Sequence, residues 1–566
     1  MRPSFLMVLA ATITGCAAPG PDRWDAFVQR FMDDYFRANP TFAVYQGLHQ
    51  YDGQLPDWTA PGLTRTIGQL HAARDAAPPF DTTRLDPPRR FQRAYLLAAI
   101  DRDLFWLDEA RWPWKNPEYY GDLLDPNVYV TRPYAPLPDR MRAFTRWAGN
   151  VPASLRQIRG TLEAPMPRPF IAIGRILFGG VASYLETDVP QVFAPVKDSA
   201  LTVPFDNARR AAIGAFRAMD AWFDTLSATA TDDFALGPQL FAKMLAMTEG
   251  VDVPLDTLEA IGRADLERNL RALREACAKF APGQTLAQCM KRMNNHKPSG
   301  SAIETARAQL DGLEQFIRQR DLATIPGTER AQVMESPPYQ RWNFAYIDIP
   351  GPYEHGLPSV YYIAPPDPTW SAAERADYVP GVADILFTSA HEVWPGHFLQ
   401  FLHANRSPDL FGRVFVGYAY IEGWAHYAEE MVWDAGLGDG DPETHIGQLS
   451  NALLRNARFL AAIGMHARGM NQAGAERLFR EQGLQDQATA RQQAARGTFD
   501  PAYLNYTLGK LLIRQLRDDW TATRGGRSAW KQFHDEFLSY GGPPIPLVRR
   551  AMLGPEAGPA LRLGPR

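Results

Sequence analysis

The sequence predicts a mainly α-helical protein: one large helical body with a central cleft, and a minor short β hairpin near residues 341–363. Three observations predict it. Apolar residues recur three and four positions apart through most of the chain, the period of an amphipathic helix. Strand-like runs are few; two of them, RWNFAYIDIP and LPSVYYIAPP, are short, aromatic and β-branched, and could pair. The 47 prolines fall mostly between helical runs, as in PAPVK and PPDPTW, so they punctuate connections rather than mark disorder.

The helical runs follow in order. WDAFVQRFMDDYFRANP has helical spacing and stops at Asn39-Pro40. RRFQRAYLLAAIDRDLFWLDEA and NARRAAIGAFRAMDAWFDTLSA repeat the pattern. PLDTLEAIGRADLERNLRALREACAKF adds Asp256 and Glu259 near its start, where the helix dipole favours negative charge. DPETHIGQLSNALLRNARFLAAIGMHARGM opens with Asp441 as N-cap and Pro442 at the first helical position. No repeat of fixed period and no confident linker divides the chain. The expected organisation is a signal peptide over 1–15, a lipidated tether over 16–22 and one helical domain over 23–566.

Composition narrows the partners. With 59 basic against 63 acidic residues, a net charge of -4 and no block of like charge, nucleic acid is excluded as the expected partner. The start of the chain points to export instead. Arg2 precedes an apolar run, Phe5 to Ile13, of signal-peptide length; a bilayer span needs about 20 residues. The run ends in Ile13-Thr14-Gly15-Cys16, which resembles a bacterial lipobox with Cys16 as the lipidated residue. The expected location is the bacterial cell envelope, with a periplasmic or surface-facing body held to the membrane by its acylated end. An ordinary secretory signal is the alternative. No other stretch reads as long and apolar enough to cross a bilayer. Cys277 and Cys289, twelve residues apart, are expected to form a disulfide in an oxidising compartment; two buried thiols are the plainer reading.

The chemistry lies late in the chain. Residues 381–404 read GVADILFTSAHEVWPGHFLQFLHA. His391-Glu392 resembles the opening of the zinc-peptidase motif H-E-x-x-H, in which two His four apart on one helical face bind metal and the Glu is the general base. Here the second His is six residues on, at His397. On a regular helix that separation turns about 600° and leaves the rings some 120° apart. Pro395-Gly396 lies between them, and a two-residue bulge there would restore the phase of an i, i+4 pair. The competing possibility is a helix that ends at Trp394 and a new one starting at His397. A third ligand follows in RVFVGYAYIEGWAHYAEEMVW (413–433), where Glu422 sits among apolar neighbours and is costly unless paired or metal-bound. Two His, one Glu and an open fourth position form a catalytic zinc set, with one Zn2+ expected. His426, four residues beyond Glu422, is a ligand, a transition-state donor or a group supporting the ligands; the set is complete without it. Glu429 and Glu430 read as solvated or supporting carboxylates.

HEVWPGHFLQ followed by EGWAHYAEE resembles the bacterial family called domain of unknown function 885, as do FDPAYLNYTLGKLLIRQLRDDW and FHDEFLSYGGPPIPLV. The likeness is strong over roughly residues 335–552. It implies a helical, zinc-peptidase-like protein, often exported, with His391, His397 and Glu422 as ligands and Glu392 as base. Tyr506 and Gly509 match the family pattern Y-x-x-G, and Arg517 follows on the same expected helix. Tyr506 is a candidate oxyanion donor and Arg517 a candidate substrate-carboxylate binder, against plain core and surface roles. The expected function is zinc-dependent hydrolysis of a peptide or other amide substrate. A zinc-stabilised, non-catalytic envelope lipoprotein that binds a ligand or partner is the alternative.

Overall fold

The helix Pro21–Ala38 buries Trp24, Val28, Phe31, Met32 and Phe36, one stripe at helical spacing. That stripe packs with Tyr95, Leu96 and Ile100 of the helix Pro87–Leu104 and with Phe411, Val414 and Phe415, which precede the Glu422 helix. The N-terminal helices thereby brace the C-terminal site region. A second and much larger apolar cluster runs from Val44 to Leu561. The computed structural model describes residues 21–562 apart from 81, 342 and 343. The expected signal peptide, Cys16 and tether residues 16–20 lie outside the described residues.

The fold is mainly α, 70% helix and 3% strand. Asp441 caps the helix Pro442–Ala467 by accepting from the Thr444 N–H, with Pro442 at its first position. Leu255–Phe280 is helical, and Cys277 joins Cys289 in a disulfide, Cα–Cα 5.9 Å. The expected strand pair is present: β2 (Ala345–Asp348) runs antiparallel to β3 (Ser359–Ile363). The sheet has a third strand that sequence reading missed. Residues Ala331–Glu335 form β1, parallel to the buried central β3. Their AQVME sequence carries almost no β-branched or aromatic signal.

One described helix, Arg168–Phe193, is long and apolar enough to cross a bilayer by composition, against the sequence expectation. Its apolar window is 56% buried in the body, and Phe170, Ile173, Leu177 and Phe178 join the main core.

Four helices frame the site: Val382–Glu392, Tyr418–Asp434, Pro442–Ala467 and Asn505–Thr521. The second and fourth meet at glycine. A Cβ on Gly509 would lie 2.6 Å from the Gly423 Cα and 1.9 Å from the Ala419 oxygen, so the backbones touch where a side chain cannot fit. Beside this crossing, Lys510 is buried and ion-paired to Asp265 at 2.6 Å, and Glu430 pairs with Arg268 and Arg514. Glu430 is therefore a structural ion-pair partner rather than a solvated carboxylate.

Candidate metal centre

The His391 helix ends at Glu392, and four residues separate it from the next, His397–Ala404. The break is a phase shift rather than a clean stop. The Gly396 N–H donates to the Ala390 oxygen at 2.9 Å and the Leu399 N–H to the Val393 oxygen at 3.4 Å, both six residues back instead of four. Gln400 then bonds Gly396 with ordinary helical spacing. Pro395, joined to Trp394 through a cis peptide, offers its carbonyl to the Trp424 indole N–H at 2.9 Å. That bond ties the bulge to the Glu422 helix, two residues from Glu422 itself. Residue 396 must be small: a Cβ there would lie 1.7 Å from the His391 oxygen. The bulge starts two residues earlier than the Pro-Gly pair suggests. The helix read over 413–433 is also divided, into Leu410–Val414 and Tyr418–Asp434.

The result is convergence. The His391 and His397 rings are 4.8 Å apart and nearly perpendicular. A Glu422 oxygen, Oε2, lies 3.2 Å from His391 Nε2 and 3.4 Å from His397 Nε2. Donors bound to one tetrahedral zinc at about 2.0–2.1 Å stand roughly 3.3–3.4 Å from one another. The donor types fit that ion, both distances to Glu422 match its spacing, and all three donor atoms lie within 4.8 Å of one another; these residues are the metal-capable group among the described residues. Burial opposes ionisation of Glu422, but the His397 and His391 rings hold its carboxyl well below the usual range.

The remaining side chains divide into those at the centre and those behind it. Glu392 is buried, its Oε2 has no hydrogen-bond partner, and burial raises its pKa. Tyr506 stacks on His391, ring centroids 6.0 Å apart at 17°. Burial, reinforced by the Glu422 charge, keeps its phenol protonated. Glu429 is fully buried, and its Oε1 accepts from His391 Nδ1 at 2.7 Å. This bond leaves Nε2 free to face Glu422, the arrangement by which carboxylates orient metal-binding imidazoles. Arg455 pairs with Glu429 at 3.0 Å and donates to Asn451, which in turn donates to Asp384.

Two candidates are not brought to the His391–His397–Glu422 cluster. The His426 ring is fully buried with Nδ1 3.5 Å from Glu429 Oε2, and burial together with Lys510 lowers its pKa to about 4. Arg517 lies about 16 Å further along the helix than Tyr506 at 1.5 Å per residue. There it donates to Asp518 and to the Tyr427 hydroxyl and stacks on Trp530 at 4.4 Å. Neither lines a cavity at the site. Arg455 and Arg458, which sequence reading passed over, line a cavity at the site instead. Both are buried on the helix Pro442–Ala467, among polar as well as apolar neighbours, which the sequence alone did not disclose.

His391, Glu392 and Tyr506 stand at the junction of two cavities. One, of about 540 Å³, is lined by Asp384, Thr388, Arg455, Arg458 and Gln493 among others. The other, of about 320 Å³, reaches His397 and Glu422 and is walled by Ile349, Phe401, Val414, Phe415 and Ile421.

The sequence profile of the family described as "Bacterial protein of unknown function (DUF885)" matches residues 40–552. The chain belongs to the DUF885 family. The match takes in both candidate metal-binding segments and extends far beyond residue 335, into the N-terminal half that braces the site. This DUF885 chain is similar in structure to a "putative lipoprotein of unknown function" from Shewanella oneidensis, with TM-score 0.75 and 22% identity over 94% of this chain and 99% of the other. It is similar also to a "putative lipoprotein" from Colwellia psychrerythraea, with TM-score 0.78 and 16% identity over 95% and 99%. At these identities the likeness is one of fold. Comparison with curated proteins gives no match.

Proposed function

We propose that this protein is an exported zinc-dependent hydrolase that cleaves peptide amide bonds. The observation that carries the reading is the meeting of His391 Nε2, His397 Nε2 and Glu422 Oε2 beside an uncommitted Glu392 carboxylate, at the junction of two cavities. Bound zinc supplies a Lewis acid that polarises a carbonyl and makes a water acidic near neutral pH. The chain's own groups do the rest. Glu392 takes the water proton and carries it to the leaving amine. The Tyr506 hydroxyl donates toward the carbonyl oxygen as negative charge grows there. Glu429 holds the His391 Nδ1 proton and fixes the ring.

The rival reading, a non-catalytic zinc-stabilised lipoprotein, needs a closed site with a fourth protein ligand. His426 was the candidate for that place, and its ring lies against Glu429 outside both cavities, which favours the hydrolase. Export rests on Ile13-Thr14-Gly15-Cys16 and on the printed description of two similar structures as lipoproteins. A single acyl chain binds only marginally, so stable anchoring needs the several chains that lipobox processing adds. Cys16→Ser is expected to move the protein from the membrane to the soluble fraction; equal recovery at the membrane would refute the anchor. The reaction is tested by Glu392→Gln against a tetrapeptide pool. Zinc content should be unchanged and cleavage should fall about 10²–10⁴-fold. Undiminished cleavage, or none by the unsubstituted zinc protein, would remove the hydrolase reading.

A further inference from the structure

We infer that Arg458 binds a carboxylate of the substrate, so that the enzyme prefers short peptides that carry a carboxylate near the scissile bond. This rests on the hydrolase reading above. Arg458 is 4% exposed and lines the larger cavity together with His391, Glu392 and Tyr506. Its Nε donates to the neutral Gln493 at 2.8 Å, and its guanidinium lies 4.5 Å over the Tyr506 ring. Its two neighbours are neutralised: Arg455 by Glu429 at 3.0 Å and Arg496 by Asp500 at 3.0 Å. No carboxylate pairs with Arg458 among the described residues. Burial depresses its pKa, and the Arg496 and Arg455 charges add to that.

A buried, unpaired cation is costly, and an anionic ligand that reaches it through the cavity relieves the cost. Stacking on Tyr506 and the bond to Gln493 fix the plane of the guanidinium, which leaves its remaining N–H groups set for bidentate contact with a carboxylate. Position sets the length of the substrate. Arg458 lies over the same Tyr506 ring that stacks 6.0 Å from His391. A chain advances about 3.3–3.6 Å per residue, so the carboxylate falls within about three residues of the scissile bond.

The test is equilibrium dialysis on zinc-loaded Glu392→Gln, with three tetrapeptide pools: uncharged residues as free acids, the same as C-terminal amides, and amides with one Glu. The free-acid pool or the Glu-containing amides should bind roughly 10- to 100-fold tighter than the plain amides. The first result locates the carboxylate at the chain terminus, the second on a side chain. Adding Arg458→Gln should abolish the preference. Arg458→Lys, which keeps a cation in the same space, should reduce it about tenfold and is the second variant if Arg458→Gln fails to fold. Equal binding of all three pools, or a preference that survives both substitutions, would overturn the inference. Turnover by the unsubstituted protein is scored separately. A binding preference without cleavage refutes the hydrolase and leaves the carboxylate site standing; cleavage with no preference for carboxylate does the reverse.

Discussion

The backbone N–H of Gly396 donates to the carbonyl oxygen of Ala390, six residues back, at 2.9 Å. In a regular helix it would reach Glu392. The two additional residues bring His397 from about 120° off to nearly the phase of an i, i+4 partner, where it meets His391. Glycine is required there because a Cβ would overlap the His391 carbonyl oxygen, which is backbone and cannot swing aside. Gly396→Ala is therefore predicted to cost about 2–4 kcal/mol and to release the metal. Thermal unfolding and elemental analysis of the variant check it; wild-type stability with full zinc would contradict the bulge as the device that brings the two His together.

Glu429 is predicted to set metal affinity without touching the metal. Glu429→Gln removes the charge that orients His391 and should weaken zinc binding about 10- to 100-fold, measured by competition with a chelator. It also strands the buried Arg455 guanidinium, with an expected loss of about 3–5 kcal/mol in urea unfolding. Unchanged zinc affinity in the folded variant would assign Glu429 a purely structural role.

How far the sequence disclosed this arrangement depended on the kind of signal. Helical periodicity and caps such as Asp441 are local, and they predicted the fold class and most long helices. The spacing of His391, Glu392 and His397, read with Pro395-Gly396, pointed to a bulge because the alternative put the rings on different faces. Contacts between distant segments left no local trace. Nothing near Gly423 announces that Gly509 lies against it. Arg458 is just another charged residue until its helix is seen to bury it beside Tyr506. Arg517 erred in the opposite direction: sharing a helix with Tyr506 suggested proximity, but eleven residues of helical rise carry it to Trp530 instead.

Glu249 gives a pH dependence independent of the metal. It is 1% exposed and accepts from Asn505 Nδ2 at 2.9 Å, and burial pushes its pKa up to about 8. The folded value thus lies above the unfolded one of about 4.3. Its contribution is fully present below the unfolded pKa and is lost as pH rises through about 8. Glu249→Gln should remove this dependence and gain stability relative to the parent between pH 5 and pH 8, on the order of a few kcal/mol. Urea midpoints of both proteins at the two pH values check it; parallel curves would show that Glu249 is ionised in the folded protein.

The central claim is that His391, His397 and Glu422 hold one zinc. It is tested most directly by elemental analysis of purified protein alongside a variant carrying both His391→Ala and His397→Ala, each dialysed against zinc and then against metal-free buffer. The account predicts one zinc per unsubstituted chain and essentially none in a folded double variant. A full complement in the double variant, or no zinc in the unsubstituted protein, would contradict it.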